Sequence, residues 1–596
     1  MSPIPSNASA AMVFSFFVAV MITPWLMVKA GASAHGEGHG AHDGGVLGRT
    51  YAAVARPLLR SKGRAWLFLI LTGIATVGSL GLFYTQHVTV KLLPFDDKPE
   101  LAVVVDLPRG ASVEATSRTL GQIADVLAPV PEILTLQSHA GTAAPFNFNG
   151  LVRHSYLRAE PQMGDLQVNL APKDRRDRAS HTIALDIRQR IATLGLDRAI
   201  RVKVVEPPPG PPVMATLLAE VYGPDDATRR AVADKLRGIF ESVPFIVDVD
   251  DSFGVRPDRL RLRIAEDDLD FFKVDHRDVY ETIRLLYGGT TVGYSHRGGG
   301  LPPIPIRIAL DKREKVVGER VLSLPVPANL LPGDRGIVEL GDVVRVSREQ
   351  GAYPVFRRNG RPAEMVTGEL AGAFEAPLYG MIAVQRAIDA ADWGNLPKPV
   401  ISLHGQPEST ARPVLLWDGE WEVTWVTFRD MGAAFAVALL GIYILVVAQF
   451  GSFKLPLVIL TPIPLTFIGI LFGHWAFGAP FSATSMIGFI ALAGIIVRNS
   501  ILLVDFIRHA RTPGRPLVEV VIEAGAIRFK PILLTALAAM IGAVTILTDP
   551  IFQGLAISLL FGLASSTLLT VLVIPAIYLV LRGEKTAPVP PIEADA

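Results

Sequence analysis

The residues at 494–506 read G-I-I-V-R-N-S-I-L-L-V-D-F, an apolar run of helical length interrupted by Arg498 and reaching Asp505 near its end. A full positive charge in the middle of a bilayer span costs about 2.5–3.5 kcal/mol on insertion scales, so it calls for a buried carboxylate partner. Asp505 stands seven residues on, about two turns along the same helix face, which is too far for a direct contact. The chemistry that suits such a group is electrostatic. An arginine holds its proton to a pKa above about 12, so Arg498 could attract and release a partner but could not carry a proton itself. The alternative is a structural arginine that snorkels to the membrane surface.

Two further sets of residues could do chemistry. P-F-N-F-N-G at 145–150 sets Phe146 and Phe148 between Asn147 and Asn149 in a long connection between strands. Apolar tips on a polar loop suit adaptable gripping of hydrophobic molecules, and the plainer reading is that both phenylalanines are pinned in a core. His35, His39 and His42 fall in H-G-E-G-H-G-A-H. Such tracts can hold zinc or nickel, but nothing rigid orients these ligands, and a solvated linker is the simpler expectation. Enzyme signals are poor. The chain has no H-E-x-x-H, no G-x-S-x-G and no Gly-Lys dipeptide, so a P-loop is absent and a membrane enzyme stands as the weaker alternative. It has no cysteine, which excludes thiol catalysis, thiolate metal sites and disulfides. An ion gradient, worth about 2.3 kcal/mol per charge per 100 mV, remains as a source of energy.

The elements that must position these residues are mostly membrane helices. Half of the 596 residues are hydrophobic and 19% are charged, with 57 Lys+Arg against 56 Asp+Glu, so no global field points to nucleic acid. A span needs about 20 apolar residues. Uncharged runs of that order occur at 11–28, 65–84, 431–449, 531–548 and 552–581. The block at 455–497 is twice too long and must break near 473–482, where His474, Gly478 and Pro480 supply a turn. Seven spans are predicted.

Basic residues cluster in alternate connections: Lys29, Arg49, Arg56, Arg60, Lys62 and Arg64, then Lys454, then Arg508, Arg511, Arg515, Arg528 and Lys530, then Arg582 and Lys585. By the positive-inside rule these face the cytoplasm, and the segment from about 86 to 428 lies outside. Trp417, Trp421 and Trp425 then read as interface anchors of the returning helix. Met1 also falls outside, which suggests that earlier helices precede this chain. The rival view is a signal peptide cleaved near A-G-A-S-A at 30–34.

The outer segment carries strand 101–106, a turn at 108–110, helix 112–127 and strand 133–138, then strand 166–170, helix 180–194 and strand 200–205. This βαββαβ order is that of a ferredoxin-like split unit. E-P-P-P-G-P-P at 206–212 is a stiff linker. A second strand-helix-strand run covers 217–249. A Gly/Pro-rich insertion from about 256 to 346 interrupts it, and it resumes near 347 with strands around 353–357 and 363–369.

This order, with four local stretches, resembles the C-terminal half of the resistance-nodulation-division exporters of AcrB type over nearly the whole chain. The stretch at 494–506 is similar to the family's proton-relay helix, and R-F-K-P-I-L-L-T at 528–535 to the entry of its penultimate helix. The stretch at 145–150 resembles its switch loop, and S-S-T-L-L-T-V-L-V-I-P at 565–575 its last helix.

The resemblance implies a polytopic α-helical membrane protein with a large extracytoplasmic α/β domain built of ferredoxin-like porter subdomains and an inserted docking domain. The first helix, 1–30, would be the last span of a missing first half. A cytoplasmic connection at 31–64 and a span at 65–85 follow. Porter subdomain 1 would occupy 86–206, subdomain 2 207–255 with 347–412, and the docking domain 256–346. An interfacial segment at 413–430, five spans at 431–582 and a tail at 583–596 complete the chain.

By the same resemblance Arg498, Asn499, Asp505 and Thr567 belong to the proton relay, and Phe146, Asn147, Phe148 and Asn149 touch substrate. The relay's paired aspartates belong to the absent half, so autonomous proton transport is not expected. Drug exporters of the family often have lysine at the Arg498 position and metal exporters typically lack a basic residue there, so Arg498 mildly favours an organic small-molecule substrate. The expected setting is a proton-driven efflux pump in the bacterial inner membrane, a homotrimer with its N-terminal half, a periplasmic adaptor and an outer-membrane channel, without cofactor. Export of metal or lipid, a protein-translocation accessory and an inactive gene fragment stand as alternatives.

Overall fold

The computed structural model describes residues 3–31 and 45–581, apart from 147, 198, 209, 298–299, 301, 332–333, 373 and 512–514. His35, His39 and His42 therefore lie outside the described residues, as do Arg582 and Lys585. Seven helices among the described residues are long and apolar enough to cross a membrane.

The first span, α1 (Ser9–Lys29), has none of its apolar window buried against the rest of the chain. The connection that follows is not only a linker: it forms α2 (Gly45–Leu59), which buries Tyr51, Ala55 and Leu59. Tyr51 donates its hydroxyl to the carbonyl of Val571 at 2.9 Å, and Gly525 leaves the space that its ring occupies. The second span, α3 (Lys62–Tyr84), is capped by the Ser61 hydroxyl, which accepts from the backbone N–H of Arg64.

The outer module opens with β1 (Glu100–Asp106), α4 (Val113–Leu127), β2 (Ile133–Ala140), β3 (Met163–Leu170), α5 (Ser180–Ala192) and β4 (Arg201–Val205). The sheet order is β2-β3-β1-β4, with antiparallel neighbours throughout. Alternate residues Leu101, Val103 and Val105 of β1 face the helices and pack on Leu120, Ile123, Ile183 and Ile187, the period-2 and period-3.6 patterns meeting in one core. Ser112 caps α4 by accepting from the N–H of Ala115.

The second unit repeats the plan with β5 (Leu217–Tyr222), α6 (Asp226–Ser242) and β6 (Ile246–Asp251). An inserted segment follows, in which helices including Glu266–Phe272 and His276–Gly288 accompany three two-stranded ribbons: β7 (Asp258–Ile264) with β12 (Val344–Gln350), β8 (Thr290–Ser295) with β9 (Ile304–Ile308), and β10 (Pro325–Leu331) with β11 (Asp334–Glu339). The chain returns as β13 (Glu364–Leu370), α7 (Pro377–Ala390), β14 (Val400–Ser402) and β15 (Val414–Gly419), giving the order β14-β15-β5-β13-β6.

Two expectations fail here. The strand expected around 353–357 is only the two-residue pairing of Arg357–Arg358 with Arg361–Pro362, because Asn359 and Gly360 fold the chain back with positive φ. Trp417 is not an interface anchor, nor is the start of 413–430 an interfacial segment. Trp417 lies on β15, 2% exposed, stacked on Phe240 in the core of the second unit. Pairing of β15 with β5, Trp417 opposite Ala219, carries the indole into that core.

The last five spans are α8 (Glu420–Phe450), α9 (Leu455–Phe477), α10 (Ala483–His509), α11 (Leu517–Val544) and α12 (Gln553–Leu581). The innermost are α9, α10 and α12, which pack on one another. Gly469 and Gly473 of α9 permit this: a Cβ at either would run into Phe561 of α12.

Candidate functional site

The sequence candidates fall into two places, one in the membrane and one in the outer module. On α10 the buried side carries Leu492, Ile496, Asn499, Ser500 and Leu503, all packed within the chain. Arg498 is on the other side, exposed together with Ala491, Gly494 and Leu502. Among the described residues no side chain pairs with it. Asn499, 8% exposed, and Thr567 of α12, 5% exposed, lie inside the bundle instead. Asp505 faces outward like Arg498, and His509 Nδ1 donates to its backbone carbonyl at 2.9 Å and lies 3.4 Å from its carboxylate. The four relay candidates are thus divided: two in the α10–α12 packing, two on the open face.

The second place is a cleft of about 330 Å³ between the two α/β units. Phe146, Arg158, Asp165 and Lys203 come from the first unit; Asp250, Asp251, Met365 and Thr367 come from the second. Phe146 is 49% exposed at the cleft, with its ring 5.8 Å from Tyr156, so it is not pinned in a core. Asn147 lies outside the described residues, and so do the side chains of Phe148 and Asn149, whose backbone begins the short helix Phe148–Val152.

Sequence reading missed the charged walls of this cleft. Arg158 holds Asp165 at 2.8 Å and Asp106 at 2.9 Å, and donates to the carbonyls of Val105 and Gly164. Burial lifts Asp165 above its usual carboxylate range while Arg158 pulls the other way. Asp250 pairs with Arg201 and Lys203, and Asp251 with Arg201 at 3.1 Å and Arg237 at 3.2 Å. The acidic run D-V-D-D at 248–251 was visible as a signal; its basic partners on β4 and α6 were not.

Beneath the cleft, His181 of α5 joins the two units. Its Nδ1 lies 2.9 Å from Glu206 and its Nε2 2.7 Å from Glu375, while its ring stacks on Phe95 at 4.2 Å. Burial opposes a charge on the imidazole, yet the hydrogen bonds and charges of the two carboxylates outweigh it and hold His181 up to about 9. Lys91, over the face of Phe95 at 3.4 Å, reaches Glu375 at 3.7 Å. His181 thus ties the two units to each other through one carboxylate of each.

A sequence model described as the AcrB/AcrD/AcrF family matches residues 3–582. The chain belongs to this family. Among relatives, the nickel and cobalt resistance protein CnrA of Cupriavidus metallidurans is 25% identical over 573 residues, covering 91% of this chain and 48% of its own length. The cobalt-zinc-cadmium resistance protein CzcA of the same organism is 25% identical over 372 residues, covering 61% and 33%. The multidrug resistance protein MdtC of Erwinia amylovora is 36% identical over 163 residues, covering 26% and 16%. The fold is shared with a crystal structure of a heavy metal efflux pump at a TM-score of 0.73 and 19% identity, over 90% of this chain and 53% of that one. This AcrB/AcrD/AcrF-family chain thus spans about half the length of these relatives or less.

Proposed function

We propose that the chain is the second half of a proton-driven efflux pump of the resistance-nodulation-division type in a bacterial inner membrane. The α/β module faces the periplasm, and a first half supplies the missing membrane charges. Arg498 carries this reading: a cation on an exposed helix face, at membrane depth, with no partner among the described residues. Carboxylates of the first half would complete it. Ionised, they hold Arg498 toward them; protonated, they release it, so the two halves shift with each proton cycle. Asn499 and Thr567 support the helix packing behind that charge, and Asp505 lies on the same open face. The trimer, the periplasmic adaptor and the outer-membrane channel belong to the same proposal.

The cleft is the passage for substrate, with Phe146 and its loop as the apolar contact. A hydrophobic or amphiphilic organic molecule suits it best, because Asp165, Asp250 and Asp251 are already engaged by basic side chains. A second reading, export of divalent metal ions, is favoured by the likeness to CnrA along most of the chain.

One experiment tests both. Cells expressing the two halves are assayed for dye efflux and for resistance to nickel, cobalt and zinc, with Arg498→Ala and Arg498→Lys compared with the parent. The expected result is dye export that Arg498→Ala abolishes and Arg498→Lys partly retains, since a point charge survives but the planar fork does not. Export by the isolated chain, or full export by Arg498→Ala, would remove the relay role. Metal resistance without dye export would replace the organic reading with the metal one.

A further inference from the structure

A separate group of carboxyls surrounds the joint where the second sheet runs into the membrane. β15 ends at Gly419, and α8 begins at the next residue. Gly419 has a φ of 73°, and a Cβ there would strike the carbonyl oxygen of Ala215, so the turn needs glycine. Immediately before it stands Asp418, 8% exposed; on the adjacent strand β5, Glu220 is 1% exposed. Arg358 bridges the two. Its Nε lies 2.9 Å from Glu220 Oε1, and its Nη2 donates to Asp418 Oδ2 at 2.8 Å.

One guanidinium spanning two carboxyls brings them close together while neutralising only one. Glu220 and Asp418 lie diagonally across the β5–β15 pair, Glu220 opposite Leu416 and Asp418 two residues further on, and Glu422 follows on the first turn of α8. Ionised carboxylates only accept hydrogen bonds, so a bond between two of them exists only when a proton is present. Among the described residues no other basic side chain makes an ion pair with Glu220 or Asp418. Tyr222 donates its hydroxyl to Glu220 Oε2 at 2.6 Å and accepts from Gln406 at 3.0 Å. In the ladder Glu220 stands opposite Met365 on one side and Leu416 on the other, and Asp418 stands opposite Leu218.

We propose that Glu220 and Asp418 form a proton-binding site outside the membrane, holding one proton between them at the joint of the sheet and α8. Loaded, the pair carries one negative charge, balanced by Arg358. Unloaded, it carries two, and the proton has passed from the Glu220 carboxyl to water; no bond other than O–H changes. The repulsion then acts on two structures at once. One is the Gly419 turn that leads α8 into the membrane. The other is Met365, which faces Glu220 in the ladder and lines the cleft.

The placement of the proton follows from the surroundings. Burial first, and then the neighbouring Asp418, lift Glu220 to about 7. Asp418, despite its own burial, is held below its usual value by hydrogen bonds from Glu220 and Glu422 and by the charge of Arg358. The Arg358 side chain is 42% exposed, which gives water a way to the site. The site stands whether or not the transport reading holds.

The test uses the full chain in detergent and needs no transport. Infrared spectra are recorded across the pH range, and the C=O stretching band of protonated carboxyls is followed in the parent and in Glu220→Gln. The expected difference between them is one carboxyl that loses its proton with a midpoint near 7. Asp418→Asn removes the neighbouring negative charge and is expected to lower that midpoint, the affinity for the proton falling by about tenfold or more. Arg358→Gln is expected to raise it. Superimposable parent and Glu220→Gln titrations, or an unshifted midpoint in Asp418→Asn, would overturn the proposal. If Glu220→Gln does not fold, the opposite shifts of the other two variants decide.

Discussion

Arg158 in the cleft wall and Arg498 in the membrane are the same side chain in two water-poor settings, and the chain completes only one of them. Around Arg158 two aspartates and two backbone carbonyls engage the guanidinium, so its charge is satisfied by the fold. Around Arg498 the described residues offer nothing, and the side chain projects from a face rich in small residues. A charge of the first kind locks a structure; one of the second kind is open to the partner proposed above. The carboxyl pair at Gly419 lies between them, with one arginine for two acids and a proton to make up the difference.

Breaking the closed site is expected to have the largest effect. Arg158→Ala strands Asp165 and Asp106 at a mostly buried position, and up to about 3 kcal/mol of the outer module's stability should be lost. Denaturant unfolding measures this; a change under about 0.5 kcal/mol would mean that water replaces the guanidinium and that the comparison is wrong.

The intermediate case is legible in the pH dependence of stability. Glu220 has a folded-state pKa of about 7, above the ordinary value of about 4.3 expected when unfolded. Between those values the folded chain binds the extra proton, so stability contributed by this group is full below about pH 4.3 and is lost as pH rises through about 7. Stability should therefore fall between pH 5 and pH 8, and Glu220→Gln should remove that part of the slope in melting curves.

Smaller effects are expected where side chains are open. Phe146→Ala should change stability by less than about 0.5 kcal/mol, because the ring is half exposed, while weakening dye binding measured by fluorescence. A loss of about 3 kcal/mol, the cost of truncating a buried phenylalanine, would return Phe146 to the core. Arg498→Ala in this chain alone should leave unfolding unchanged or slightly favour the folded state, since no partner is stranded. Marked destabilisation would show that Arg498 already has a partner here.

The sequence by itself determined the elements with strong periodic or compositional signals. Seven spans follow from uncharged runs near 20 residues, and the two βαβ runs follow from alternation in strands such as 101–106 and from the stripe in 113–127, because burial of one face imposes those periods. It also located Arg498, since a charge in such a run is conspicuous. Tertiary structure decided what each group meets. Trp417 looked like a membrane anchor until β15 took a place beside β5 in the sheet, because six residues in a connection carry no signal of the strand they will join. Arg158 finds Asp106 across the fold, and Glu220 finds Asp418 nearly two hundred residues away. Pairing, burial and proton sharing depend on distances between remote segments, and only the packed chain sets those distances.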